Sequence, residues 1–184
     1  LAVTLVFVDS TQGWLVTDSG LQSESPTALY VTATGGTITT SGDYKIHSFT
    51  GPGTFCVSCS GNAGGSNLVD YMVVAGGGAG GSHGGDGGTV GGGGGAGGYR
   101  ESPGTASGSY TVSPLGVAPA VALSVPSTAY PIVVGAGGVA SFPGNCASSQ
   151  GSVSTFSSIS SAGGGGGNGQ GMTCAAKGDG GSGG

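Results

Sequence analysis

Residues 76–98 read GGGAGGSHGGDGGTVGGGGGAGG, and 16 of these 23 positions are glycine. Fixing one residue costs about 1–2 kcal/mol of backbone entropy, and glycine brings no side chain to offset it. A net hydrogen bond contributes only about 1 kcal/mol. A helix or a regular sheet is therefore a poor solution here. Order requires that the backbone groups pair with neighbours on several sides. A set of polyglycine-II rods meets that requirement. Each rod has three residues per turn and no internal hydrogen bonds, so its N–H and C=O groups point outward. Without Cβ atoms, neighbouring rods approach closely. A single straight rod of this segment would be ~70 Å long at the polyproline-II rise. We expect it to break and reverse near Ser82-His83 or Thr89-Val90.

Glycine returns at Gly135–Gly138, Gly163–Gly171 and Gly178–Gly184, with varied segments between. Pro114 to Pro126 separates two candidate strands, Tyr110–Ser113 and Tyr130–Val134. Val139–Ser161 is serine-rich. Glycine is not strictly every third residue and proline is scarce, which excludes collagen.

Upstream, the pattern is β. Ala2–Val8 is β-branched and apolar on both faces, as in a buried strand. Asp9–Gly13 turns, and Trp14–Thr17 resumes. Ala28–Ala33, Thr37–Thr40 and Leu68–Ala75 are further candidate strands. Asp43–Phe49 alternates, with Tyr44 and Ile46 on one face and Lys45 and His47 on the other. The turn signal Thr50-Gly-Pro-Gly53 precedes Thr54–Ser58, so we expect a hairpin in which Tyr44, Ile46, Phe55 and Val57 share a core. The expected fold is mainly β: an N-terminal antiparallel β domain, then a glycine-rich polyglycine-II-like rod bundle with long loops. The divisions fall at 1–34, 35–75 and 76–184.

The 184 residues include 46 glycines, and only 6% of the chain is charged. At 36% hydrophobic, it is richer in apolar residues than a disordered tether. Net charge is −5, with Lys45, Arg100 and Lys177 the basic residues, so nucleic-acid binding, which needs several cations, is excluded. No apolar run approaches the ~20 residues of a membrane span, and membrane insertion is not expected. The chain opens on Leu1 and stops in mid-pattern at Gly184; we expect both ends to continue into a longer polypeptide.

Catalytic patterns are weak. His47 and His83 lack a neighbouring nucleophile or paired acid. Asp43, Asp70, Asp86 and Asp179 are scattered, whereas a glycosidase needs two carboxylates facing one site. The glycine runs lack the Gly-Lys-Ser/Thr of a phosphate loop. We expect no enzyme, no cofactor and no metal. Cys56-Val-Ser-Cys59 has CxxC spacing, and with Cys146 and Cys174 would supply four thiolates for zinc. The second pair is not CxxC, however, and residues 56 and 59 of a continuous strand point to opposite faces. A Cys146–Cys174 disulfide and four free thiols remain open. Trp14 covers a strand or an interchain seam more readily than it stacks on a sugar. Tyr99, Arg100, Tyr110 and Phe142 are the candidate contact residues, because they lie in or beside loops that leave the glycine scaffold.

Four phrases carry a resemblance: GGTITTSGDYKIHSFTGPGTF from Gly35, VDYMVVAGGGAGG from Val69, GGGGAGGYRES from Gly92 and YPIVVGAGG from Tyr130. In this order they resemble the glycine-rich domain of bacteriophage tail-fibre proteins, over roughly residues 35–184. AVTLVFVDSTQGWLVTD, from Ala2, resembles the end of a preceding fibre domain. A looser similarity, in alternation alone, is to T-even-type tail-fibre tip adhesins, which pack polyglycine-II rods and display receptor-reading loops. The resemblance implies a virion component outside the cell, a distal tail-fibre module for host-surface attachment. Its partners would be a bacterial surface receptor, protein or glycan, and other fibre subunits in a homotrimer. A structural spacer or assembly module is the alternative. Folding in a reducing cytoplasm would argue against dependence on a disulfide. The long insert Glu101–Thr128 and the four cysteines depart from the adhesin pattern.

Overall fold

The computed structural model describes residues 3–9, 13–19, 28–81, 91–102, 122–140 and 148–168. Every regular element among them is a strand. β1 (Val3–Asp9) and β2 (Gly13–Ser19) form a hairpin that places Phe7 opposite Trp14. Val6 and Phe7 are exposed, so β1 is not the buried strand that its composition implies; one ribbon partner covers an edge but not both faces.

The centre is a five-stranded antiparallel sheet in the order β13 (Ile159–Ser161), β12 (Ser154–Phe156), β11 (Ala129–Val133), β6 (Gly53–Ser60), β3 (Val31–Thr34). Period-two alternation directs Ala33, Phe55, Val57, Tyr130 and Phe156 to one face, where they are buried with Val73 and Val125. Phe55, Tyr130 and Phe156 form a ring cluster with centroid separations of 5.8–6.4 Å, and such pairs add about 0.5–1.5 kcal/mol each beyond area burial.

The expected hairpin across Thr50–Gly53 is not formed. β5 (Tyr44–Ser48) turns back on β4 (Thr37–Ser41), whereas β6 is claimed on its two edges by β3 and β11. The expected faces are exchanged as well. His47, not Ile46, turns toward the core, its ring edge-on to Phe55 at 5.1 Å and its Nδ1 2.8 Å from the Gly35 carbonyl oxygen. Phe55 and Val57 are buried as expected, but Ile46 is 45% exposed and Tyr44 only half-buried. At the base of this hairpin Gly35 and Gly36 take left-handed φ values of 109° and 66°, a region closed to most side chains. The Phe49 ring lies against both.

Leu68–Ala75 divides into two short strands. β7 (Leu68–Val69) pairs with β10 (Leu123–Ser124), and β8 (Met72–Val74) pairs with β9 (Tyr99–Glu101). The cysteine-bearing strand holds one irregularity: Thr34 opposes Cys56, Ala33 opposes Val57, and Thr32 opposes Cys59, leaving Ser58 as the extra residue. Thr34 and Thr32 share a face, so this bulge sets Cys56 and Cys59 on the same face rather than on opposite ones. The expected strand Tyr110–Ser113 and the glycines beyond residue 168 lie outside the described residues.

Candidate functional site

The strands lead directly into glycine segments. β8 continues into 75–81, β11 into 135–139 and β13 into 162–168; segments 91–98 and 148–152 lead back toward β9 and β12. Hydrogen bonds between these five segments recur every third residue. Ala75, Gly78 and Gly81 donate to the carbonyls of Gly98, Gly95 and Gly92. Gly92, Gly95 and Gly98 donate in turn to Asn168, Gly165 and Ala162. Gly164 and Gly167 donate to Gly76 and Ala79, which themselves donate to Ser152 and Ser149. Gly138 donates to Gly77. Residues 75–81, 135–139 and 162–168 thus run parallel, with the other two segments antiparallel to them. Residues 75–81 bond to four neighbouring segments, residues 76 and 79 serving two of them through N–H and C=O, an arrangement that a sheet strand, with two edges, does not offer.

Sterics explain the composition. A Cβ at Gly76, Gly78, Gly94, Gly97, Gly151, Gly163, Gly164 or Gly167 would overlap a carbonyl oxygen of an adjacent segment. None of these glycines takes a left-handed φ, so close approach, not backbone freedom, is what requires them. Of Gly76–Gly98, residues 76–81 and 91–98 hold no helix, and their backbone groups bond sideways to other segments. These two flanks are antiparallel, and the positions expected to reverse, Ser82-His83 and Thr89-Val90, lie outside the described residues.

Of the candidate contact residues, Tyr99 and Arg100 sit at the junction of strand and glycine segment. Tyr99 is half-buried and its hydroxyl donates to Glu101 Oε2 at 2.5 Å. Arg100 is exposed, and its Nη1 donates to the Tyr99 carbonyl at 3.1 Å. Tyr110 and Phe142 lie outside the described residues.

The junction also holds polar groups that a linear reading leaves scattered. Ser102 Oγ donates to Asp70 Oδ1 at 2.7 Å and accepts the Tyr71 N–H at 3.0 Å. Glu101 and Ser102 are buried. The pairing of β8 with β9 brings these residues together across more than 30 positions of sequence, and only the recurrence of strand-like triplets beside each glycine run hints at it. A shallow cleft of about 330 Å³ is lined by Gly35, Gly36, Ser48, Phe49, Gly53 and neighbouring residues, none of them ionisable. Cys56 and Cys59 are free thiols, Cys146 and Cys174 lie outside the described residues, and no group of three or more His, Cys, Asp or Glu gathers among the described ones.

Neither a curated protein nor a solved structure matches the chain. The sequence profile of the glycine-rich domain family matches residues 49–184, which include all five cross-bonded segments. On that match, extending over most of its length, the chain belongs to the glycine-rich domain family.

Proposed function

We propose that this chain is a distal module of a bacteriophage tail fibre, in which a bundle of polyglycine-II-like rods holds loops against a bacterial surface molecule. The observation that carries the reading is the three-residue spacing of hydrogen bonds among five segments, four of them glycine-rich. That spacing is the repeat of a threefold rod, and it pairs backbone groups of one segment with those of the next. Such a bundle is stiff, and its order depends little on what its connecting loops carry. Loops on a rigid frame are where recognition concentrates. The module binds rather than catalyses, works outside the cell on the virion, and associates with other fibre subunits as a homotrimer. It needs no cofactor, does not insert into a membrane and does not engage nucleic acid.

The experiment is a loop exchange. Residues 103–121 are replaced, while Glu101, Ser102, Leu123 and Val125 are kept because they pair or are buried in the fold. Adsorption of particles to the original host should fall or change in range with fibres still assembled. Unchanged adsorption and host range on intact fibres would favour a structural spacer.

A further inference from the structure

We propose that Cys56 and Cys59 form a two-thiolate site for a soft cation, copper(I) foremost, on the outer face of β6. The case begins with the strand's burial pattern. Phe55 and Val57 enter the core, Cys56 is exposed and Cys59 half-buried. An unbroken strand would then send residue 59 inward with 55 and 57. The extra residue Ser58 prevents this: Cys59 opposes Thr32 and Cys56 opposes Thr34, both on the face away from the core. The bulge is held in place, since Ser58 Oγ donates to the Thr32 carbonyl at 3.1 Å and Ser127 Oγ donates to the Ser58 carbonyl at 3.4 Å. Two thiols therefore stand on one side of a fixed sheet.

Spacing decides what they can do. Their partners on β3 are two residues apart, about 6.6 Å along a strand. A disulfide needs Cβ atoms about 3.5–4.5 Å apart, closer than neighbours on one face of a strand stand. Two sulfurs sharing one metal can be up to ~4.6 Å apart, twice a 2.3 Å metal–sulfur bond. Leaning side chains reach that separation without moving the backbone. Thiolates favour soft ions such as copper(I) and zinc, and of these a wide two-sulfur bite suits the digonal copper(I) better than tetrahedral zinc. No third Cys, His, Asp or Glu joins them among the described residues. Binding releases the two thiol protons to solvent and leaves the metal's oxidation state unchanged.

The test uses the full chain carrying Cys146→Ser and Cys174→Ser, titrated anaerobically with copper(I) against a chromogenic chelator. One ion per chain is expected, with both remaining thiols protected from alkylation and no change in oligomeric state. Cys56→Ser and Cys59→Ser should each weaken binding by about 100-fold, because the second thiolate engages at high effective concentration. Circular dichroism of both variants should match the parent, since neither thiol belongs to the core. Retained affinity in either single variant, bridging of two chains by one ion, or ready closure to a Cys56–Cys59 disulfide under mild oxidant would overturn the proposal.

Discussion

Gly164 donates its N–H to the Gly76 carbonyl at 2.9 Å, and a Cβ at Gly164 would overlap the carbonyl oxygen of Gly95, in the segment flanking both. This residue is therefore fixed by a bond on one side and by backbone contact on another. Gly164→Ala has no side chain to displace, only backbone, and should destabilise the protein by at least about 1–3 kcal/mol, the usual cost of overpacking. Gly93 is the control. A Cβ there meets nothing within 4 Å, so Gly93→Ala should lie within about 0.5 kcal/mol of the parent. Thermal unfolding of the two variants decides the matter; equal losses would mean that glycine is needed for something other than close approach.

The ring cluster of the central sheet supplies a second contrast. Phe156 touches Phe55 and Tyr130 at centroid separations of 5.8 and 6.0 Å and is buried. Phe156→Ala should cost about 3–5 kcal/mol and could unfold a chain this poor in large side chains. Ile46→Ala, on the exposed hairpin, should cost well under 1.5 kcal/mol, as surface changes do. Chemical denaturation of both would check the order. A reversal would restore Ile46 to the core that alternation alone assigns it.

What the sequence disclosed and concealed follows from range. Glycine density between residues 76 and 98 excluded helix and ladder because that argument is local. Four non-glycine residues inside the segments, Ala79, Ala96, Ala136 and Ser152, are exposed or half-buried, whereas Ala75 and Ser148 are buried. Their spacing therefore marks the outward face only in part. Pairing was not legible. Alternation says which side chains share a face but not which strand lies alongside, and β6 took Ala129–Val133, more than 70 residues away, over its sequence neighbour β5. The cysteine arrangement was hidden for a similar reason. A one-residue bulge reverses a face, and Ser58 bears no mark of it. Of the candidate contacts, Tyr99 and Arg100 could be placed beside a glycine run, but the partnership of Ser102 with Asp70 needed the β8–β9 ribbon.

His47 ties the β4–β5 hairpin to the sheet through the Gly35 carbonyl and the Phe55 ring. A two-stranded hairpin is marginal by itself, so these contacts should govern its local opening. His47→Ala should reduce amide exchange protection across Thr37–Ser48 by about tenfold, corresponding to a lost hydrogen bond worth about 1–1.5 kcal/mol. Protection of Phe55 and Val57 should stay near parental values. Exchange measured by NMR or mass spectrometry separates the two regions, and uniform loss across both would show that His47 supports the whole sheet instead.

Ser161 closes β13 at the point where the glycine segment 162–168 begins. It is fully buried, and its hydroxyl donates to the Val73 carbonyl at 2.9 Å. Val73 lies on β8, which leads into residues 75–81, so this bond joins two strands just before their continuations enter the cross-bonded array. Farther along, backbone pairing is supplemented by Ser148 and Ser149, whereas here the join is made by a side chain. Removing the hydroxyl leaves a buried carbonyl with less compensation, a loss of about 1–3 kcal/mol. Ser161→Ala should therefore lower the unfolding midpoint despite its small change in volume. Ser161→Thr keeps the hydroxyl but adds a methyl where there is no space, and should cost a similar ~1–3 kcal/mol by overpacking. If the hydrogen bond matters through position, both variants should also weaken exchange protection at Gly164 and Gly167, whose N–H groups bond to Gly76 and Ala79. An Ser161→Ala protein with parental stability and unchanged protection at those two glycines would show that the glycine array holds its own register without this tie.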